Sequence, residues 1–409
     1  MKKLIALLLA LVMIVGLVAC GEKPPAADND QPNADQPPVE NPGDQEIVDK
    51  PADSFEVESE KEWNADAPTG FKVGFAYLPP SDTLGAAFHK MLNYAAAEFG
   101  CEMFFIEWTA YDAASLIGGY ENMIQAGCDA MIPVMMFAPV VEMCDAAGVY
   151  FMPTCCEVTP ELLPMCLESD YYLGNIHEDE IISGYQLGQN LYDAGCRNVI
   201  FKGNAPGMAK SHDDRYRGFM QFAEEHEDFN VVVEALESTT ATIYDELIAA
   251  HGTKIDGIAA SGGSATLPAA IIAAGYENDI VYTTIDIQGD VRTDLEMGMC
   301  VGVAGGQYPD MELGFLVIYN ALATGEKVIM DRTQSLKRPY MWIKTVEEYD
   351  YYITYMEGTI PAYTADELKE MSLAHNPEAT VESVWQMLQD YCANYSLEEV
   401  IERHKALYE

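Results

Sequence analysis

Segments of strand character and segments of helical character alternate from residue 71 to residue 304, and this alternation constrains the fold more than any other feature. Phe71 to Leu78 is an apolar, aromatic run that stops at Pro79-Pro80, and Leu84 to Phe99 then shows helical spacing. Strands that alternate with helices of about 10–15 residues form parallel βαβ units with right-handed crossovers. The sequence therefore predicts an α/β fold with doubly wound parallel sheets.

The alternation forms two series, which predicts two lobes in tandem. The first series ends at residue 152, and the second runs from a helix that begins at residue 180 to a strand that ends at residue 304. In such sheets the ligand crevice lies beyond the carboxyl ends of the strands. A two-lobed body places that crevice between its lobes, where small-molecule pockets are often found.

The first twenty residues have the pattern of a bacterial lipoprotein signal peptide. Lys2 and Lys3 precede an apolar run of fifteen residues, 4–18, which is shorter than the roughly twenty residues of a permanent transmembrane helix. The run ends in Leu-Val-Ala-Cys at 17–20, which resembles a lipobox. We predict that residues 1–20 are the signal peptide, that Cys20 is lipidated, and that the protein is anchored to the outer face of the cell membrane. An ordinary secretory signal is the alternative.

The composition changes at residue 21 and limits what the protein binds. Residues 21–68 are rich in Pro, Asp, Asn, Gln and Glu, which predicts a disordered acidic tether between the membrane and the folded body. The whole chain has 66 Asp+Glu against 22 Lys+Arg, a formal charge of −44, so a partner that is bound through phosphate groups, such as nucleic acid, is excluded.

Ten cysteines are present, and nine remain when Cys20 carries lipid. An odd number of thiols cannot all form disulfides. The adjacent pair Cys155-Cys156 has a spacing that suits neither a tetrahedral zinc site nor a relaxed disulfide. We predict free, mostly buried thiols, with no metal and no cofactor; a metal site at these cysteines is the alternative.

Residues 346–409 are predicted to form a helical extension. Thr364 with Glu367 and Ser396 with Glu399 have the spacing of capping boxes, each at the start of a helical run. Apolar residues between Val381 and Tyr391 recur at helical spacing. We expect this extension to dock on one lobe.

Several stretches between residues 71 and 345 resemble one known family in sequence order. They are residues 120–132, where a helix leads through Ala-Gly-Cys-Asp-Ala into a strand, residues 138–149, Ile255–Ile258 and Gly306–Asp310. The family is the type I periplasmic binding proteins, which include ribose-, galactose- and autoinducer-type receptors of ABC transporters. The resemblance implies a binding protein whose lobes close on a small ligand by a hinge motion and deliver it to an ABC transporter permease.

The resemblance also implies how the chain is divided between the lobes. We expect crossings near Leu173-Gly174, Tyr308-Pro309 and Lys337–Pro339. The N-terminal lobe would comprise residues 69–173 and 308–338, and the C-terminal lobe residues 174–307 and 339–345.

When the family's ligand site is carried over by position, it gives ten candidate residues. They are Asp82, Leu84, Met136, Phe137, Asp213, Arg215, Ser261, Gly262, Asp286 and Gln307. The usual stacking ring after the first strand is missing, and Asp213 occupies the place of the arginine that commonly clasps ligand hydroxyls. Because carboxylates accept hydrogen bonds and repel anions, we expect a sugar-like, polyol or amine-bearing ligand.

Other functions are open alternatives to solute transport by a monomeric binding protein. A sensor lipoprotein that presents an autoinducer, nucleoside or amine to a membrane receptor would have the same sequence features. An enzyme on this fold would need a catalytic motif, and the sequence has no HExxH, G-x-S-x-G or phosphate-loop pattern. We therefore predict that the protein is not an enzyme.

Overall fold

The structure, a computed structural model, describes residues 55, 57, 59, 61–108 and 112–408. The predicted signal peptide, Cys20 and most of the predicted tether lie outside the described residues.

The strands are β1 Lys72–Tyr77, β2 Glu102–Glu107, β3 Ala130–Ile132, β4 Tyr150–Phe151, β5 Ile176–Glu178, β6 Asn198–Gly203, β7 Asn230–Leu236, β8 Gly257–Ala260, β9 Val281–Ile285, β10 Cys300–Gly305, β11 Leu336–Arg338 and β12 Met341–Ile343.

The α-helices follow the strands in the predicted alternation. They are α1 Thr83–Glu98, α2 Ala113–Gln125, α3 Ala138–Ala147, α4 Leu163–Glu168, α5 Glu180–Asp193, α6 Lys210–Glu225, α7 Ile243–His251, α8 Leu267–Ala273, α9 Val291–Glu296, α10 Asp310–Thr324, α11 Val346–Met356, α12 Ala365–Glu370, α13 Val381–Asn394 and α14 Leu397–Tyr408. No helix within the described residues combines the length and the apolarity needed to cross a membrane.

The N-terminal lobe is built on a parallel sheet with the strand order β2-β1-β3-β4. Successive side chains of β1 point to opposite faces of the sheet, and both faces are buried. Phe75 packs edge-to-face against Phe88 of α1, with 6.0 Å between the ring centroids, and Ala76 belongs to the core on the other face. A parallel sheet with both faces covered is the predicted doubly wound arrangement.

The C-terminal lobe has a six-stranded sheet with the order β12-β10-β9-β8-β6-β7. Its two faces are also buried: Ile200 and Phe201 of β6 belong to different cores. Five strands are parallel, as predicted, whereas β12 runs antiparallel to β10. The chain enters β12 from β11, which pairs with β5 outside this sheet.

Three chain segments connect the lobes. β5 pairs in parallel with β11 and bridges to Thr154, beside the N-terminal sheet, before the chain enters α5. β10 leads through Gly306 and Gln307 to α10, which packs on α1. The third segment passes from β11 to β12. These segments form the hinge.

The C-terminal extension contacts both lobes, so the prediction that it docks on one lobe is wrong. Arg292 of the C-terminal lobe pairs with Asp350 of α11 at 2.8 Å, and Glu98 of the N-terminal lobe pairs with Lys369 of α12 at 2.9 Å. The predicted caps are present: the Thr364–Glu367 capping box is complete, and Ser396 Oγ accepts from the Glu399 N–H at 3.1 Å.

Two tyrosines of the extension also form hydrogen bonds to the hinge. The Gly306 N–H donates to the hydroxyl of Tyr352 at 3.1 Å, and the hydroxyl of Tyr395 donates to the Gly306 carbonyl at 2.5 Å. Gly306 has φ +89°, a conformation that favours glycine, and both tyrosines are buried. The extension lies over both lobes because its tyrosines bind the segment that connects them.

The last part of the predicted tether packs on the extension. The indole N–H of Trp63 donates to Asp366 at 2.7 Å, Lys61 pairs with Glu370 at 3.0 Å, and the Asn64 side chain donates to the Ala374 carbonyl at 2.8 Å. Phe55 is buried. We therefore place the start of the folded body before residue 61, upstream of the predicted boundary at residue 68.

The described residues include nine cysteines, all of them free and six of them buried. This agrees with the prediction of free, mostly buried thiols.

We expect Tyr352→Phe to lower the free energy of unfolding by about 1–3 kcal/mol, because it leaves the buried Gly306 N–H without its acceptor. The neighbouring Tyr351 is 45% exposed, so Tyr351→Phe is a matched control that we expect to cost less than about 0.5 kcal/mol. Urea unfolding of both variants measures the difference. Equal effects would contradict the assigned role of Tyr352.

Candidate ligand-binding site

A cavity of about 90 Å³ lies between the lobes, at the carboxyl ends of the N-terminal strands. The N-terminal lobe contributes mainly apolar side chains, and the C-terminal lobe and hinge contribute mainly polar ones. The lining residues from the N-terminal lobe are Tyr77, Leu84, Phe88, Trp108, Val134, Met135, Cys155 and Cys156. Those from the C-terminal lobe and hinge are Glu178, Ala209, Ser211, His212, Arg215, Asp286, Gln307 and Tyr340.

Aromatic rings form one wall of the cavity. The ring of Tyr77, the last residue of β1, lies 4.9 Å from that of Trp108 and 5.0 Å from that of Phe88. The sequence comparison predicted that the usual stacking ring was missing, because the loop after β1 has none. The structure supplies rings from the ends of β1 and β2 and from α1 instead.

The cavity wall contains the two non-glycine residues with positive φ among those the structure describes. Cys155 has φ 58° and Asp286 has φ 74°. Left-handed conformations are uncommon for such residues and concentrate at functional sites. Asp286 follows β9 directly, so this conformation sets the direction of its carboxylate at the end of the strand.

Arg215 is buried at the start of α6 because α5 and α6 approach very closely. A Cβ on Gly184 would lie 1.9 Å from the Arg215 carbonyl oxygen, so only glycine fits there. This approach lets the guanidinium bind the Glu180 carboxylate through two hydrogen bonds of 2.6 and 2.8 Å. It also donates to the Ser261 carbonyl at 2.6 Å and to the Tyr340 hydroxyl at 2.7 Å.

These contacts use four of the five N–H groups of Arg215 and leave one on Nη1. Burial opposes the charged form of Arg215, but the Glu180 carboxylate outweighs it and raises the pKa of the guanidinium further above its usual value. The pair therefore places a fixed, neutralised cation at the edge of the cavity.

His212 lies beside Arg215 and is neutral. Its Nδ1 lies 2.8 Å from the Ser261 hydroxyl. Burial, with the positive charges of Arg215 and Lys202, lowers the pKa of the imidazole well below its usual value. A Cβ on Gly262 would lie 3.2 Å from the His212 ring and 3.3 Å from the Asp286 carboxylate, so Ser261 and Gly262 lie directly behind these groups.

Asp286 and Gln307 form the polar wall near the hinge. The amide nitrogen of Gln307 donates to the Asp286 carboxylate at 2.7 Å. Burial raises the pKa of Asp286, while Arg215 and Gln307 act in the opposite direction. The amide oxygen of Gln307 is buried and has no partner among the described residues. This wall therefore offers acceptors to a ligand.

Three side chains of the types that ligate metal ions lie close together at the floor of the cavity. One ligand atom each from Cys155, Glu178 and Asp310 lies within 4.8 Å of the others. However, Arg338 forms a buried ion pair with Asp310 and supplies a positive charge there. Burial also raises the pKa of the Cys155 thiol and of the Glu178 carboxyl group, which disfavours the deprotonated forms that bind metals. We assign no metal to this group.

A family model described as a periplasmic binding protein domain matches residues 73–327. The chain belongs to the periplasmic binding protein family. No curated protein matches the sequence significantly.

Several solved structures share the fold. A structure from Mycobacterium smegmatis in complex with β-D-fucofuranose has 22% identity, covers 70% of this chain and 95% of its own, and has a TM-score of 0.58. An ABC transporter solute binding protein from Bacillus halodurans C-125 with bound myo-inositol has 19% identity, coverages of 70% and 99%, and a TM-score of 0.58. One from Actinobacillus succinogenes 130z with bound D-allose has 15% identity, coverages of 69% and 100%, and a TM-score of 0.59.

In this periplasmic binding protein, four of the ten predicted site residues line the cavity: Leu84, Arg215, Asp286 and Gln307. The other acidic candidates have structural contacts. Asp82 caps α1 by accepting from the N–H groups of Leu84 and Gly85 at 3.0 Å, and Asp213 accepts from the Gly207 N–H at 2.9 Å. A carboxylate at a helix start or in a turn satisfies backbone donors first.

Met136 and Phe137 pack against the apolar core of the N-terminal lobe, and Met135 lines the cavity in their place.

Several lining residues were missed by the sequence comparison. Tyr77 and Trp108 could have been identified from the sequence, because they stand at the carboxyl ends of predicted strands. Glu178 and Tyr340 belong to hinge segments whose short strands have no clear sequence pattern.

A larger cavity, of about 850 Å³, lies elsewhere on this periplasmic binding protein. It is lined by α1 residues such as Lys90 and Tyr94 and by Met356 and Glu357 at the end of α11. It contains none of the polar groups at the strand ends. The smaller cavity between the lobes is therefore the candidate ligand site, since ligands of open α/β sheets bind beyond the carboxyl ends of the strands.

We expect Arg215→Met to lower the free energy of unfolding by about 3–5 kcal/mol, because it leaves the buried Glu180 carboxylate unpaired. The double variant Glu180→Gln/Arg215→Met should lose less than the single one. Arg217→Met on the same helix is the control, since the Arg217 side chain is 62% exposed. Urea unfolding measures these variants together with Glu180→Gln alone, and a double variant as unstable as the sum of the two single variants would contradict the coupling.

Proposed function

We propose that this protein is an extracytoplasmic solute-binding lipoprotein that captures a small polar ligand, sugar-like or a polyol, and delivers it to an ABC transporter permease. It acts as a monomer and binds its ligand without changing it chemically. The observation that carries the proposal is the cavity between the lobes, in which aromatic rings of one lobe face hydrogen-bonding groups of the other.

This arrangement suits a polyhydroxylated ring. Such a molecule has an apolar face of C–H groups, which packs on aromatic side chains, and hydroxyls at its edge, which need paired polar groups. Tyr77 and Trp108 offer the rings, and Asp286, Gln307 and Arg215 offer the polar groups. The related structures that contain β-D-fucofuranose, myo-inositol and D-allose support this class of ligand.

Ligand binding drives closure of the hinge in this proposal. Contacts to Trp108 on one lobe and Asp286 on the other can be made together only when the lobes are close. The ligand therefore binds the closed form more tightly than the open form, and this difference in affinity sets the population shift. The closed form is the one that docks on the permease.

The lipid on Cys20 would keep the protein at the outer face of the cell membrane. Cys20 lies outside the described residues, so the lipobox motif at 17–20 is the support for this part of the proposal. The acidic segment that follows gives the body reach toward a permease while it repels the anionic lipid surface.

We expect Asp286→Asn to weaken ligand binding by about 1–3 kcal/mol, roughly fivefold to 150-fold, because the charged acceptor is lost. Asp279→Asn on the exposed surface of the same lobe is the control. Calorimetry with a panel of aldoses, furanoses and inositols, guided by mass spectrometry of ligand released from native protein, measures the change. An unchanged affinity would remove Asp286 from the site.

We expect the full-length protein made in bacteria to incorporate labelled fatty acid and to sediment with membranes. Cys20→Ser should abolish incorporation and release the protein, because the acylated thiol is lost. Cys101→Ser, at a half-buried thiol in the folded body, is the matched control. Labelling that persists in Cys20→Ser would show that the anchor lies elsewhere.

A further inference from the structure

Two buried oxygen atoms in the wall of the cavity have no hydrogen-bond partner among the described residues. They are Oε1 of Glu178 and Oε1 of Gln307, whose residues are only 2% and 5% exposed. Buried acceptors in folded proteins are nearly always satisfied by protein, water or ligand. Because both residues line the cavity, we expect a donor within the cavity to serve them.

These acceptors lie on the same side of the cavity as Asp286. The Gln307 amide nitrogen is held by Asp286, so its oxygen lies next to that carboxylate. The Cys155 sulfur lies near both residues: it is 3.9 Å from the backbone carbonyl oxygen of Gln307 and within 4.8 Å of a Glu178 carboxyl oxygen. Glu178, Gln307 and Asp286 are therefore neighbours in the cavity wall.

The charges in this part of the molecule are unbalanced. The buried arginines are already paired, Arg215 with Glu180 and Arg338 with Asp310. Glu178 and Asp286 take part in no ion pair within the part of the chain that the structure describes. The neighbouring imidazole of His212 is neutral. The cavity wall thus holds two carboxyl groups with no cationic partner of their own.

We propose that the natural ligand carries a protonated amine as well as hydroxyls, as an amino sugar or an aminocyclitol does, and that its ammonium group binds among Glu178, Gln307 and Asp286. This inference rests on the proposed function and names its ligand class. An ammonium group has three N–H donors and no acceptor, which suits three acceptors that line one cavity. Its hydrogen bonds to carboxylates are charge-assisted and therefore strong.

Binding of such a ligand is coupled to a proton. Glu178 lies among Asp310, Glu180, Arg338, Cys155 and Tyr340; burial, followed by the charges of Asp310 and Glu180, raises the pKa of its carboxyl group well above the usual value. The raised pKa favours the protonated form of Glu178 in the empty cavity. When the ammonium binds, the Glu178 O–H bond breaks, the electron pair stays on the carboxylate, and the proton passes to the buffer.

The test is calorimetry of the wild-type protein with matched ligand sets. Each set contains an amine, its hydroxyl parent and its N-acetyl form: D-glucosamine, D-galactosamine or D-mannosamine with the corresponding hexoses and N-acetylhexosamines, and an aminocyclitol with myo-inositol. At pH 6, in buffers of different ionisation enthalpy, we expect one amine to bind about tenfold or more tightly than its parent and to release up to one proton. Its affinity should rise with pH until the amine itself loses its proton.

Glu178→Gln should remove the proton release and weaken amine binding about tenfold, with a smaller effect on the hydroxyl parent. Glu142→Gln, at an exposed position on α3, is the matched control. Hydroxyl or N-acetyl members that bind as tightly as the amines would overturn this inference and leave the proposed function intact. If no member of any set binds, both fail.

Discussion

Parallel strands end at one edge of their sheet, and the candidate site exists because two such edges face each other across a hinge. The end of β1 brings Tyr77 to the cavity, the end of β2 brings Trp108, and the end of β9 brings Asp286. Each lobe alone would present half a site, with rings on one side and polar groups on the other. In the proposed function the ligand contacts both halves, which would couple closure of the lobes to binding.

The polar half of the site depends on the packing of α5 against α6. Glycines at 184 and 218 remove the side chains that would separate these helices, since a Cβ at either position would lie 1.9 Å from a backbone oxygen of the other helix. The close approach pairs Glu180 with Arg215 away from water, and the pair is neutral as a unit. The Asp286 carboxyl group then lines the cavity without an ion-pair partner among the described residues, which disfavours an anionic ligand.

The C-terminal extension contributes side chains that contact the hinge segments. Tyr352 and Tyr395 bind the backbone of Gly306 from two sides, and the Arg338 guanidinium lies 3.6 Å over the Tyr395 ring. These contacts reach two of the three segments that connect the lobes. Because the extension is also tied by ion pairs to each lobe, any motion of the hinge must be accommodated by the extension as well.

The sequence by itself determined the order and type of the main elements. Apolar runs and helical spacing mark them locally, and the helix predicted over Leu84–Phe99 is α1, Thr83–Glu98, in the structure. It also indicated Asp286, Gln307 and Arg215 by resemblance. It did not indicate β5, β11 or β12, which are three residues long and lie outside the regular alternation of strands and helices.

Tertiary structure alone decided which polar residues face the cavity. Asp82 and Asp213 look like ligands in the sequence but satisfy backbone N–H groups, whereas Glu178 shows no local signal and lines the cavity. The apolar stripe of the extension likewise predicts that the extension packs on the folded body, but it does not identify the surface that the stripe contacts. A local sequence pattern reflects the secondary structure of a residue's own segment. The burial and the charge around a site residue are set by residues distant in sequence, which meet only when the lobes assemble.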